Sequence, residues 1–481
     1  MRTVIAFFLF MQISFAQSDL KNLQSALVSS TTMEEDLREL CDEIGGRVTG
    51  SEANEKSVEW AFKKLKDAGV KTWKQPFEVP VLWMEAASTF KISGGIEFTP
   101  LAVAKYQTAP GNYSGKLIDV GMGSEAEILK LKDQLKDNFA LVTSELCLDI
   151  DGLFAEYTQA AHAENRLRDV GVKGIVFMAS RPHKLLYRFI PTKVTENDLP
   201  QFIMAREDAQ RSLRTLQVGK ELMFSTTVHA EIGGAFTSEN VLAEITGTDL
   251  KEEIIIIGAH LDSWALGTGA NDNGCNVTML INIASQIKAL GLKPRRTIRF
   301  ALWNGEEQGY FGSWAYTKQN EASMDKHKMA MSIDIGSGEI IGLFTNGRED
   351  LVTVMEDGLT PLDLDTAFAM INVPIIGTDN FDFMLQGVPN LVAAHKPASY
   401  GVNYHASSDT YDKVDFKSLS KNSQLVGGLL WLYANVEKEK IDIPRHTRSE
   451  IQSMFDKTKI EFSMRMFNVW EPWMSGERGR K

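Results

Sequence analysis

The sequence predicts an α/β protein: a mixed, mostly parallel sheet flanked by helices, with a second domain inserted into it. Three observations carry this expectation. Residues 236–440 alternate strand-like apolar runs with helix-like stretches, the pattern of a largely parallel sheet. Within them, the run from Glu253 through Ile254, Ile255, Ile256 and Ile257 is apolar without alternation, as in a strand covered on both faces. Between 95 and 235 the texture changes to short strand-like runs broken by turn residues.

In chain order, Met1-Arg2-Thr3, an apolar stretch from Val4 to Met11, and Ser14-Phe15-Ala16 read as a signal peptide over 1–16, cut before Gln17. The mature chain is then expected to be secreted or periplasmic. The apolar run is shorter than the ~20 residues a membrane helix needs. Residues 17–94 form the N-terminal part of the main domain. They read as helical from 24 to 75, with a loop at Gly45–Ser51 and a helix from Asn54 to Ala68 stopped by Gly69. The insert, 95–235, contains strand-like runs at 116–120, 174–178 and 199–203. It has no paired carboxylates or metal-spaced histidines, so it reads as non-catalytic, and His162, His183 and His229 as structural or surface residues.

The main domain resumes over 236–442, with a helix at 277–290, strands at 297–303 and 329–333, and a long helix at 417–436. A charged tail, 443–481, carries Trp470 and Trp473. It is expected to pack on its own domain or on a second copy, which leaves a homodimer open.

Composition narrows the function. The 481 residues are 43% hydrophobic and 24% charged, with a net charge of -12. That balance suits a globular chain and argues against nucleic-acid or anionic-membrane binding, which calls for a basic face. Three cysteines, Cys41, Cys147 and Cys275, allow at most one internal disulfide and leave at least one free thiol.

Candidate site residues fall just past the carboxyl ends of the predicted strands, where open α/β sheets place their sites. His260 follows the strand at 254–257 and can offer an imidazole to a metal, with Asp262 holding its other ring nitrogen. Asp272 lies in the glycine-rich loop Gly267–Gly274, which opens the next helix. There it reads either as a helix cap or as a ligand. The adjacent Glu306 and Glu307 have diverging side chains, so one can bind metal while the other faces a water. Asp334 emerges from an apolar run, and His405 precedes the last long helix. Two histidines and three carboxylates suit zinc or a similar divalent ion. Charge balance with two ions requires one bridging carboxylate, for which Asp272 is the best placed.

The segments His260-Leu261-Asp262-Ser263-Trp264, Gly267-Thr268-Gly269-Ala270, Leu302–Gly309 and Gly46–Ser51 resemble the two-zinc aminopeptidase and carboxypeptidase family, and within it the carboxypeptidase Q subgroup. The resemblance implies a zinc-exopeptidase fold with a protease-associated-like insert. It also implies two Zn²⁺ per chain, one held by His260 and Asp334, the other by Glu307 and His405, with Asp272 bridging. Glu306 would be the catalytic base and Asp262 would support catalysis. The Asp272–Asn273 peptide bond is expected to be cis. The implied substrates are peptides, dipeptides or short chains cut at an end. The sequence departs from the family pattern at Asn273-Gly274-Cys275-Asn276 and across 340–400.

Other classes remain to be separated: an aminopeptidase on longer peptides, a zinc amidohydrolase on a non-peptide amide, and a non-catalytic receptor-like scaffold. A serine hydrolase is not supported, since no Gly-x-Ser-x-Gly elbow precedes a helix.

Overall fold

The computed structural model describes residues 18–191, 199–362, 364 and 367–481. The signal peptide expected over 1–16 lies outside these residues. An eight-stranded mixed sheet forms the main body. Its strands run, edge to edge, Lys71–Val79, Phe236–Ile245, Arg296–Trp303, Leu250–His260, His327–Ser332, Asn390–His395, Ile340–Phe344 and Ala369–Ile371. The four central strands, from Arg296–Trp303 to Asn390–His395, are parallel, and antiparallel pairs flank them on both sides.

The strand Leu250–His260 shows why the centre is apolar on both faces. Ile255 and Ile257 pack into the cluster formed with the helices Cys275–Ala289 and Phe416–Asn435. Ile254 and Ile256 point the other way, toward Trp303, Tyr316 and Phe383. Alternate side chains of a strand face opposite sides, so covering both sides demands an unbroken apolar run. Gly258 is required in this strand, because a Cβ there would lie 2.0 Å from the Trp303 indole nitrogen.

The helix at 52–67 begins two residues before the expected Asn54, with the Ser51 hydroxyl accepting from the Asn54 amide. The helical reading to 75 overran. The edge strand starts at Lys71, and its alternating burial over Gln75, Phe77 and Val79 comes from pairing with Phe236–Ile245, a partner 165 residues away. All three cysteines are buried free thiols.

A second, seven-stranded sheet is built from residues 89–228, with helices at Glu125–Leu135, Ile150–Val170 and Arg206–Gln217. Its edge strand Thr89–Gly94 precedes the boundary expected at 95 and pairs with Leu222–Val228. The C-terminal tail folds back on its own chain. Trp473 is fully buried in a cluster with Tyr310, Phe381, Leu385 and Phe455. Among the described residues no helix is long and apolar enough to cross a membrane.

Candidate metal centre

The folding of the main sheet brings His260, Asp272, Glu307, Asp334 and His405 together, although they span 145 positions of sequence. His260 closes its strand, and its Nε2 lies 3.1 Å from Asp272 Oδ1 and 2.9 Å from Asp334 Oδ1. His405 stands opposite, with Nε2 3.2 Å from Asp272 Oδ2 and 2.9 Å from Glu307 Oε2. Two triads result, His260–Asp272–Asp334 and Asp272–Glu307–His405, and each could hold a metal ion. They share Asp272, which offers one carboxylate oxygen to each side.

Asp272 does not act as a helix cap. The helix Cys275–Ala289 has Gly274 at its N-cap and no capping side chain. The loop before it holds Asp272 at a non-helical φ of -123° and ψ of 85°, and the Asp272–Asn273 peptide bond is cis. The Asp409 carboxylate fixes this loop by accepting from the amides of Asn271, at 2.8 Å, and Asp272, at 3.1 Å.

The other ring nitrogens are also held. His405 Nδ1 is 2.8 Å from the carbonyl of Arg188, which belongs to the segment read as a non-catalytic insert. His260 Nδ1 is 2.9 Å from the carbonyl of Asp262, whereas the Asp262 carboxylate stands 3.8 Å away. The expectation that this carboxylate orients the imidazole is therefore corrected. Asp262 Oδ2 accepts from the Thr49 hydroxyl at 2.9 Å, and its two oxygens take the amides of Glu306 and Glu307 at 3.4 Å. The carboxylate is drawn toward the turn carrying the paired glutamates, and the carbonyl of the same residue is left to meet the ring.

The donor chemistry fits divalent cations. Glu307 Oε1 and Asp272 Oδ2 are buried without a hydrogen-bond partner, the 3.2 Å approach of His405 lacking hydrogen-bond geometry. Such buried acceptors are costly unless a positive group satisfies them. Burial, with Asp272 close by, pushes the Glu307 carboxyl up to about 7. Burial alone would lower His405, but the Glu307 and Asp272 carboxylates outweigh it and push the imidazole up to about 9. Carboxylates gathered in low dielectric repel one another, and cations relieve that repulsion. Glu306 belongs to neither triad and lines the adjoining pocket. Burial first, then Asp334 and Glu307, raise it well above the usual carboxylate range.

Residues 240–430 match the sequence profile of Peptidase family M28. The chain carries a peptidase family M28 domain. Carboxypeptidase Q of Rattus norvegicus is 28% identical to it over 243 residues, 50% of this chain and 51% of that protein. That of Xenopus laevis is 31% identical over 221 residues, 45% of this chain and 46% of that protein. The chain thus spans about half the length of the curated relatives it matches. A peptidase M28 precursor from Shewanella amazonensis SB2B superposes with a TM-score of 0.76 at 26% identity, covering 88% of this chain and 98% of that one. A zinc aminopeptidase from Bacillus subtilis shares the fold, with a TM-score of 0.66 at 18% identity over 85% and 97% of the two chains.

The N-terminal loop ties the M28 domain's site together through Arg47, which is fully buried. Its guanidinium donates to the carbonyls of Leu261 at 2.8 Å, Thr268 at 2.6 Å and Gly269 at 2.9 Å. The loop segments bearing His260 and Asp272 are thereby joined. Thr49 works alongside, accepting from the Gly305 amide at 2.9 Å while donating to Asp262.

Thr378 and Asp379 carried no signal in the sequence, whereas Tyr400 and Tyr404 neighbour the expected ligand His405. Thr378 lines the pocket with Asp334, and Asp379 is buried next to it in the chain with neither carboxylate oxygen hydrogen-bonded. Tyr400 donates to the Asp334 carbonyl at 3.1 Å, which commits that hydroxyl. Tyr404 stacks on His405 at 3.6 Å and meets Tyr157, from the helix Ile150–Val170, hydroxyl to hydroxyl at 3.4 Å.

Proposed function

We propose that this protein is a zinc-dependent exopeptidase, secreted after loss of its first 16 residues, that hydrolyses dipeptides or short peptides. The observation that carries this reading is the pair of donor triads sharing Asp272. Two His and three carboxylates, all buried and converging from strand ends and neighbouring loops, are a donor set for two divalent cations. The likeness to carboxypeptidase Q supports cleavage at a chain end.

In this reading His260 and Asp334 would hold one Zn²⁺ and Glu307 and His405 the other, with Asp272 belonging to both triads. A bound pair of such ions lowers the pKa of water toward ~7 and polarises a carbonyl. Glu306, left out of both triads, takes a proton from the attacking water on its carboxylate. It then delivers that proton to the departing amine nitrogen. Asp262 acts indirectly, holding the amides of Glu306 and Glu307 so that the first carboxylate faces the pocket and the second faces His405. The helix Ile150–Val170 walls one side of that pocket. A site closed in this way admits a chain end more readily than the middle of a folded chain.

Elemental analysis of chelator-free protein should return about two zinc ions per chain. The same preparation should cleave an unblocked dipeptide and lose that activity when either end is blocked. Loss on N-acetylation alone would make it an aminopeptidase on longer peptides. Cleavage of a doubly blocked peptide would overturn exopeptidase action.

A further inference from the structure

The backbone of His405 turns at a φ of 56°, a left-handed conformation that persists in a bulky residue only where the surroundings enforce it. Much of that enforcement comes from the insert. Residues 186–188 lie antiparallel to 405–407: Tyr187 and Ala406 form a β-bridge, and the Ser407 amide donates to the Leu186 carbonyl at 2.8 Å. The Arg188 carbonyl completes the pairing, 2.8 Å from His405 Nδ1. Ala406 is fully buried in the insert's own apolar core, beside Tyr187 and Phe189.

Arg188 is the joint of this segment. It is 4% exposed, and its guanidinium reaches two ways: Nε donates to the Ala104 carbonyl at 3.0 Å, and Nη2 pairs with Glu85 Oε2. Glu85 closes the strand Leu82–Glu85, and its other carboxylate oxygen accepts from the Ala104 amide at 3.2 Å. The guanidinium also faces Trp264 at 6.0 Å, whose ring meets the His405 ring edge-on at 5.9 Å.

We propose that Arg188 and Glu85 are positioning residues for metal binding: they fix the carbonyl that takes the His405 Nδ1 hydrogen, and so hold Nε2 toward Asp272 and Glu307. The inference rests on the two-ion reading and goes beyond it, because it ties the affinity of one ion to the docking of the insert. A ligating imidazole offers one nitrogen to the metal, while the partner of its other N–H sets ring orientation and tautomer. For His260 that partner is a carbonyl two residues on, so its side of the site is fixed locally. For His405 it lies 217 positions away, on a segment clasped by the Arg188–Glu85 pair.

The test measures zinc affinity of the full-length protein by competition with a chelator, each side being isolated in turn. Asp334→Asn keeps the His405 side, and Glu307→Gln keeps the His260 side. Adding Arg188→Met should weaken the ion retained by Asp334→Asn roughly 10–100-fold and leave the ion retained by Glu307→Gln unchanged. Arg188→Lys should fall between, since an ammonium does not reproduce the two-pronged reach of the guanidinium.

Arg188→Met strands the Glu85 carboxylate, so a double variant with Glu85→Gln separates positioning from folding. In metal-free protein its stability to urea should return toward the wild-type value, while zinc on the His405 side stays weakened and the Ser407 amide exchanges hydrogen faster than in wild type. Equal weakening on both sides, unchanged affinity on the His405 side, or recovery of affinity together with stability would each overturn the proposal. Wild-type protein that binds two ions with the variants unaltered removes the proposal and leaves the peptidase reading standing. Wild-type protein that binds no divalent ion removes both.

Discussion

Replacing Arg478 with methionine should destabilise the protein by about 4 kcal/mol, although the residue lies only three positions from the end of the chain. Arg478 and Asp382 are both buried, at 3% and 1% exposure, and form a two-pronged pair, Nε to Oδ1 and Nη2 to Oδ2, each 2.8 Å. Ser313 donates to Asp382 Oδ2 at 3.0 Å, so the carboxylate is fully engaged. The guanidinium also lies 4.7 Å over the Trp314 ring and 3.3 Å from the Gly309 carbonyl. Removing one member of a buried pair costs about 3–5 kcal/mol because the other charge is stranded. Loss of the contact with Trp314 adds ~0.5–1 kcal/mol.

Urea denaturation followed by tryptophan fluorescence measures the change, read from the midpoint at constant m. The partner variant Asp382→Asn removes the stranded charge. The double variant should therefore be more stable than the sum of the two single losses implies, by roughly 2 kcal/mol. A loss below about 1 kcal/mol in Arg478→Met, or strict additivity in the double variant, would refute the argument that this pair anchors the tail.

Three further outcomes are expected. Glu306→Gln should lower turnover ~10²–10⁴-fold with zinc content intact, whereas Glu307→Gln should lower zinc content, and the reverse pattern by activity and metal analysis would exchange their roles. Arg47→Met should weaken zinc binding in competition with a chelator, since three loop carbonyls lose their donor. Burial first, then Arg299 and Arg445, push His327 down to about 3, while the Ser323 carbonyl opposes the shift and Tyr316 bonds Nε2 at 2.7 Å. Between the usual value near 6.5 and 3 the unfolded chain binds the extra proton. Stability from this group is thus complete above 6.5 and falls by about 1.4 kcal/mol per pH unit as the pH drops through that window. His327→Gln should flatten the urea-midpoint slope between pH 6 and 4, and an unchanged slope would refute the assignment.

What could be read in the sequence followed strand geometry. His260, the pair Glu306–Glu307 and Asp334 each come shortly after an apolar run, so their convergence is dictated by parallel strands ending on one edge of a sheet. The destination of the Asp262 carboxylate was not legible, because it depends on Thr49 and on the turn at Glu306, contacts 213 and 44 positions away. The same holds for Arg188 and His405, separated by 217 positions. Tyr157 and Phe467 lie in a helix of the second sheet's region and in the tail, with no motif around them. Nothing in their local spacing distinguishes a pocket wall from a packing face. The edge strand at Lys71–Val79 was missed for a related reason: it follows directly on a helix, and its own pattern acquires meaning only beside Phe236–Ile245.

The reach of Arg478 back to the carbonyl of Gly309, beside the turn that carries Glu306 and Glu307, makes the tail part of the support of the site. The same guanidinium grips the buried Asp382 by two prongs, so detaching the tail would strand a carboxylate and release the turn together. A molecule nicked before Arg478 would keep every ligand residue yet lose the strap that steadies the two glutamates.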